Sequence, residues 1–119
     1  MSRHDPRAAV WIVEDNALFR DTVSELINRS ERVHCARAFG DGNSALAALA
    51  DGRELPRLIL MDIALPGASG IECTQSVRTR YPSIPVVMLT VHHSNDQIFK
   101  AICAGASGYL LKSDTREEI

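Results

Sequence analysis

The chain has 119 residues, with 45% hydrophobic, 24% charged and 5% aromatic side chains, which suits one domain with one core and is too apolar for a disordered chain. Thirteen basic against fifteen acidic residues give a formal charge of −2, so no basic excess advertises nucleic-acid binding. No apolar run approaches the roughly 18 residues of a membrane span, the polar start Met1–Arg7 is unlike a signal peptide, and Cys35, Cys73 and Cys103 form an odd set without a close-spaced pair, as expected of reduced thiols in a cytoplasm.

In chain order, residues 1–7 read as a flexible N-terminus and residues 8–119 as one folded unit. Val10-Trp11-Ile12-Val13 is short and continuously apolar, the pattern of a strand buried on both faces of a parallel sheet. Trp11 departs from the small or aliphatic residue usual in such a strand and is expected to cover one edge of it. Phe19, Val23, Leu26 and Ile27 then repeat at helical spacing and give one apolar face. Val33–Phe39 is a weaker second strand, and Ala45, Leu46, Leu49 and Ala50 mark a second helix. Leu58-Ile59-Leu60-Met61 is a third strand, followed by a Pro66-Gly67 loop and by Ser69 with Glu72, a capping box that opens a third helix. Pro82–Pro85 punctuates the next loop, and Val86-Val87-Met88-Leu89 is a fourth strand. Ser94 with Gln97 is a second capping box, Gly105 stands where a left-handed helix-ending residue is wanted, and Tyr109–Leu111 is a weaker fifth strand.

The order is βαβαβαβαβ, an α/β chain with right-handed crossovers and a doubly wound sheet. Thr115 with Glu118 announces one more helix, yet the sequence stops at Ile119, barely one turn later. A turn that short does not stand alone, so the chain is expected to be cut from a longer protein at the start of its last helix. The apolar surface meant for that helix should then lie open, with reduced stability, self-association or an element borrowed from a neighbouring chain.

In open parallel sheets, ligands bind beyond the carboxyl ends of the strands. The residues just past the apolar runs are Glu14 and Asp15, Asp62, Thr90 and Lys112, the last being one of only two lysines in the chain. Three clustered carboxylates repel one another, and one should have a raised pKa unless a cation intervenes. Oxygen ligands without Cys or His select a hard ion, Mg²⁺ or Mn²⁺, which favours phosphate oxygens. A carboxylate beside such an ion suits phosphoryl transfer onto itself, with the ammonium and the hydroxyl neutralising the transferred group's oxygens.

These pieces resemble a known family, the receiver domains of two-component response regulators, from Val10 to Lys112. They are Ile12-Val13-Glu14-Asp15, Leu60-Met61-Asp62 with Leu65-Pro66-Gly67 and Gly70, Val87-Met88-Leu89-Thr90, and Gly105-Ala106-Ser107-Gly108-Tyr109-Leu110-Leu111-Lys112. The Phe19-Arg20 context and the Gly-Tyr-Leu-Leu-Lys ending are most similar to the NarL/FixJ subfamily, whose output domain is a helix-turn-helix DNA binder. The resemblance implies a flavodoxin-like five-stranded sheet of order 2-1-3-4-5. It implies Asp62 as phosphoacceptor from a phosphohistidine of a sensor histidine kinase. It further implies Mg²⁺ held by Glu14 (through water), Asp15, Asp62 and the backbone carbonyl of Ala64. Lys112 and Thr90 would bind the phosphoryl group, and Tyr109 would follow Thr90 inward, altering a surface made by the fourth helix, fifth strand and fifth helix. Ala64 and His92, two residues past Asp62 and Thr90, would tune hydrolysis. In the whole protein the implied partners are the kinase, a C-terminal helix-turn-helix domain and a second copy in a homodimer. The chain is not expected to be a metabolic enzyme, a membrane protein or, by itself, a binder of nucleic acid.

Plainer readings exist for the same residues. Glu14 and Asp15 could cap the first helix, Asp62 could be a turn residue, and Thr90 and Lys112 a strand-end hydroxyl and a surface lysine. Tyr109 could be an ordinary half-buried strand aromatic. His92-His93 invites a metal reading, but neighbouring side chains diverge and no partner cluster is evident. The cysteines read as packing residues, with Cys103 exposed near a helix end. Two rival functions are an aspartate-nucleophile phosphatase, disfavoured because the general-acid position is Ala64, and a receiver-like interaction module that is never phosphorylated.

Overall fold

The apolar runs pair as parallel strands because each carries oily side chains on both faces, and helices on both sides of the sheet then cover them. The computed structural model describes residues 5–65, 69–90 and 95–112. Its elements are β1 (Ala8–Val13), α1 (Ala17–Asn28), β2 (Val33–Phe39), α2 (Gly42–Asp51), β3 (Leu58–Asp62), α3 (Gly70–Arg80), β4 (Val86–Thr90), α4 (Asn95–Cys103) and β5 (Gly108–Leu111). The strands lie side by side in the order β2-β1-β3-β4-β5, and every pair is parallel. This is the order that the family resemblance implies. Among the described residues β5 is the last element, and none of the helices is long and apolar enough to cross a membrane. The capping boxes at Ser94 and Thr115, the Pro66-Gly67 loop and the predicted final helix fall outside the described residues.

Alternation along each strand sorts the core into two layers. Trp11, Val13, Ile59, Met61, Val86 and Met88 face α2, α3 and α4, where they meet Ala45, Leu49, Cys73, Val77 and Ala101. Val10, Ile12, Leu60 and Leu89 face the other way and pack on Val23 and Ile27 of α1, with Leu58, Val87 and Leu110 only partly covered there. Trp11 does not cover a strand edge, contrary to expectation. β1 lies between β2 and β3, and the indole is 1% exposed against Phe39, their ring centroids 5.1 Å apart. A central strand has no open edge to cover, so the large ring fills the layer beneath α2 instead.

Cysteine placement follows size. Cys73 is buried where α3 crosses α2, and a Cβ added to Gly42 would lie 2.1 Å from its Sγ, so both small residues let the helices approach. Cys35 is half-buried and Cys103 exposed.

Helix starts are satisfied by side chains at Asn16, Asp41 and Ser69, which accept from the amides of Phe19 (3.0 Å), Ser44 (2.8 Å) and Glu72 (3.2 Å). Ser69 bears out its half of the predicted capping box, the Glu72 side chain forming no return bond among the described residues, whereas Asn16 and Asp41 lack the Glu or Gln three residues on that marks such a box. Gly105 takes the left-handed conformation expected of it, φ 106°, and Gly52 does the same after α2 at φ 69°. Replacing Asn16 by Ala should lower stability to urea by about 1 kcal/mol, whereas Asn16→Ser, which keeps an accepting oxygen, should stay close to wild type. Within the stretch 1–7, residues 5–7 are described, and Arg7 is fastened to the end of α1 through the carbonyls of Asn28 (2.8 Å) and Ser30 (2.9 Å).

Candidate functional site

Register brings the site together. Val13 pairs with Met61 across β1 and β3, so Glu14 and Asp62 leave the sheet side by side. Asp62 pairs with Leu89 and Thr90 with Leu111, which sets Thr90 beside Asp62 on one flank and Lys112 one step past β5 on the other. One oxygen from each of Glu14, Asp15 and Asp62 falls within a 4.8 Å cluster. Lys112 Nζ touches Glu14 Oε1 and lies 3.5 Å from Asp62 Oδ2. The predicted acids and ammonium therefore converge at the carboxyl end of the sheet.

Burial grades the cluster. Glu14 is 0% exposed, Asp62 3% and Thr90 8%, while Asp15 is open to solvent. One oxygen of Asp62 accepts from the amide of Ala64 at 3.1 Å. Glu14 Oε2, in contrast, is buried and has no hydrogen-bond partner among the described residues. A buried carboxylate oxygen left in that state is costly. Burial first, then its closeness to Asp62, pushes the Glu14 carboxyl up to about 7, against the pull of Lys112. The Asp62 carboxyl goes the other way: burial would raise it, but Glu14, the Ala64 amide and Lys112 together hold it below its usual range. The Lys112 ammonium is held above its usual value because the two carboxylates outweigh its burial. One raised carboxyl among three is the outcome expected for crowded acids without a cation.

The donor set is all hard oxygen, and the orphaned Glu14 Oε2 needs a positive partner that Lys112 alone does not supply. A small divalent ion such as Mg²⁺ fits these donors. Glu14 and Asp15 do not cap the first helix, since Asn16 does so. Ala64, exposed and bearing only a methyl group, offers no acid at the position a phosphatase would need. His92 and His93 lie outside the described residues. Tyr109 stands 41% exposed on β5, beside a cavity of about 310 Å³ lined by Ile63, Ala101, Ile102, Ala106 and Gly108.

Three supporting residues were not read as site parts from the sequence. The Phe19 ring centroid lies 4.8 Å from Lys112 Nζ, a cation–π distance, so α1 helps hold the ammonium over the acids. Arg20 donates to the backbone carbonyl of Glu14 at 2.7 Å and pins the loop that carries it. Gly70 lies so close to the strand end that a Cβ there would stand 1.9 Å from the carbonyl oxygen of Asp62. All three stood in the quoted motifs, but a motif does not state a contact across 93, 6 or 8 positions of chain.

Comparison with known proteins bears on the family and the fold. A family model described as the response regulator receiver domain matches residues 10–119. The transcriptional regulatory protein MctR of Rhizobium johnstonii is 32% identical over 115 residues, 96% of this chain and 52% of that protein. The transcriptional regulatory protein YxjL of Bacillus subtilis is 33% identical over 110 residues, 92% of this chain and 50% of that protein. The chain thus spans about half the length of these curated relatives. Among solved structures, the signal receiver domain of NarL from Mycobacterium tuberculosis superposes with a TM-score of 0.87 at 29% identity, covering 96% of this chain and 90% of that one.

Proposed function

The chain belongs to the family of response regulator receiver domains, and on that premise we propose that it accepts a phosphoryl group on Asp62 from a phosphohistidine of a sensor histidine kinase. The observation that carries this reading is the convergence of Glu14, Asp15, Asp62 and Lys112 with one buried Glu14 oxygen lacking a partner. An Asp62 oxygen forms the new P–O bond as the donor's P–N bond breaks and its electron pair returns to the imidazole. Lys112 would neutralise an oxygen of the arriving group, a role supported by its 3.5 Å distance from Asp62. The Thr90 hydroxyl takes another. Asp15, Asp62, the Ala64 carbonyl and, through water, Glu14 would hold Mg²⁺ or Mn²⁺, which when bound supplies charge neutralisation for the phosphoryl oxygens. Receiver domains of transcriptional regulators are not metabolic enzymes, and catalysis by this chain is confined to gaining and losing its own phosphoryl group.

The switch runs from Thr90 to Tyr109. As the hydroxyl turns toward the phosphoryl group, the exposed Tyr109 ring moves into the neighbouring 310 Å³ cavity and reshapes the surface of α4, β5 and a following fifth helix. Phe99, 66% exposed, and Ile102, 58% exposed, already give α4 an apolar outer face for an output partner or a second copy. In the whole protein that output is a C-terminal helix-turn-helix DNA-binding domain in the cytoplasm. Ala64 cannot orient a hydrolytic water through its side chain, which leaves His92 as the rate-tuning residue.

The test is incubation with Mg²⁺ and acetyl phosphate followed by intact-mass measurement. One added phosphoryl mass is expected on the wild type, none on Asp62→Asn, and none when EDTA replaces the metal. An unmodified wild type, or a modified Asp62→Asn, overturns the proposal.

A further inference from the structure

Toward the amino ends of β1, β2 and β3, away from the acidic site, lies an open groove of about 990 Å³ that phosphoryl chemistry does not use. Its floor is the face of the sheet that α2 packs on. Trp11 and Val13 of β1 are buried there, but Ala9, on the same face by alternation, is only half-buried and lines the groove. Register surrounds this methyl group with cations. His34 pairs with Ala9 on the β2 side, and on the β3 side the Arg57 amide bonds to the Ala9 carbonyl at 2.8 Å. One row further along, Arg37 pairs with Trp11.

Arg37 reaches this face through a β-bulge. Val10 pairs with Cys35 but Trp11 with Arg37, so Ala36 is an extra residue in β2. Without it Arg37 would sit opposite Ile12 and face α1. With it the guanidinium lies over the Trp11 and Phe39 rings, at 5.5 and 5.0 Å, and is drawn in toward the β1 column. Arg57 and Arg37 therefore flank that column from opposite sides, their backbones on the order of 12 Å apart by strand spacing and rise. Two arginine side chains with one phosphate between them span that distance.

The charge is left unspent. Arg37 and Arg57, with Arg32 at the outer end of the groove, form no ion pair among the described residues. Asp5 is occupied by Arg7, whose Nε and Nη2 it takes at 3.0 and 2.7 Å, and it also lies 3.7 Å from His34 Nδ1. The two arginines thus carry the seat, while the imidazole is already held. Their forks rise from different strands and different rows and do not share a plane. A carboxylate offers its oxygens in one plane, whereas a phosphate points them in tetrahedral directions and can meet both forks.

We propose that this seat binds the phosphate of a small organic phosphate, with Arg57 and Arg37 holding it from opposite sides above the Ala9 methyl group. The groove is larger than one phosphate, and the carbon skeleton lies along it against Leu55, which is 43% exposed. No residue of the Asp62 site takes part, so this binding stands or falls separately from phosphoryl acceptance.

The test titrates glycerol phosphate into the ¹⁵N-labelled chain in EDTA at fixed ionic strength, followed by amide chemical shifts. Saturable shifts at residues 7–9, 32–37 and 54–57 are expected. Succinate, a dianion with planar carboxylates, should bind about tenfold more weakly or worse, and Arg37→Gln with Arg57→Gln should cost a similar factor. Ala9→Leu, which fills the seat from below with every charge in place, should abolish binding. Arg80→Gln, on the exposed end of α3, should leave it unchanged. Equal affinity for succinate, undiminished binding by Ala9→Leu, or an equal loss with Arg80→Gln would each overturn the seat. So would the absence of any saturable shift. Displacement by a random-sequence DNA duplex would assign the arginines to a nucleic-acid backbone and overturn the small ligand.

Discussion

Gly70→Ala should cost about 3 kcal/mol or more, seen as a large drop in the urea midpoint. The added Cβ would stand 1.9 Å from the Asp62 carbonyl oxygen and 2.9 Å from Ile63 Cα. Both are backbone atoms of a central strand, which cannot swing aside as a flexible side chain would. Backbone torsion is not the cause, because Gly70 is not among the positive-φ glycines. The Gly70 amide also bonds to the Ile63 carbonyl at 3.0 Å, so relief of the clash must break the junction of β3 with α3. That junction carries Asp62, and phosphoryl acceptance should fall with stability. Gly108→Ala is the control: nothing lies within 4 Å of its would-be Cβ, so the change should stay within roughly 0.5 kcal/mol. Equal tolerance at the two positions would refute the close-approach account.

Without metal, the chain should become less stable as pH rises from 5 to 8, and Glu14→Gln should abolish that slope. The Glu14 carboxyl is raised to about 7 from 4.5, so between those values the folded state binds a proton that the unfolded chain has released. Stability therefore falls as pH rises and levels off above about 7. The other shifted site groups do not interfere: Asp62 is held low, so its contribution is lost only in acid, and Lys112 is held high, beyond this window. At pH 8 in EDTA, Glu14→Gln should be more stable than wild type by about 2 to 3 kcal/mol, and at pH 5 the two should match. On the proposed metal site, adding Mg²⁺ should reverse the order at pH 8, because a bound ion would stabilise the wild type by mass action and the variant would lack one of the proposed ligands. Urea unfolding across pH, with and without Mg²⁺, measures all of this. A wild-type stability that is flat or rising from pH 5 to 8 in EDTA would contradict the burial argument.

Much of the fold was legible because parallel strands covered on both sides must be apolar at consecutive positions, and no competing pattern in this chain looks the same. Val33–Phe39, the weaker second strand, was harder to read because it is an edge strand with half of its surface open, where His, Arg and Ala interrupt the apolar run. The misplacement of Trp11 has the same root: bulk can be read from sequence, but whether a strand is central depends on its partners. Asn16 and Asp41 escaped notice because a single capping oxygen has no second residue to mark it. At the site, Glu14, Asp15, Asp62, Thr90 and Lys112 could be named from position alone, since the ends of parallel strands share one edge.

Residue order by itself determined the α/β alternation, the strand-end position of the acids and the lysine, and the family, because periodicity and the residues that follow each apolar run are local properties. Only the packed chain decided that Glu14 carries the raised carboxyl with an oxygen unpartnered, that Phe19 steadies Lys112, that Gly70 admits no side chain, and that a one-residue bulge turns Arg37 onto the Trp11 face. Those outcomes depend on desolvation, ring placement and register between segments far apart in the chain, and such quantities exist only once distant atoms are brought within a few ångströms.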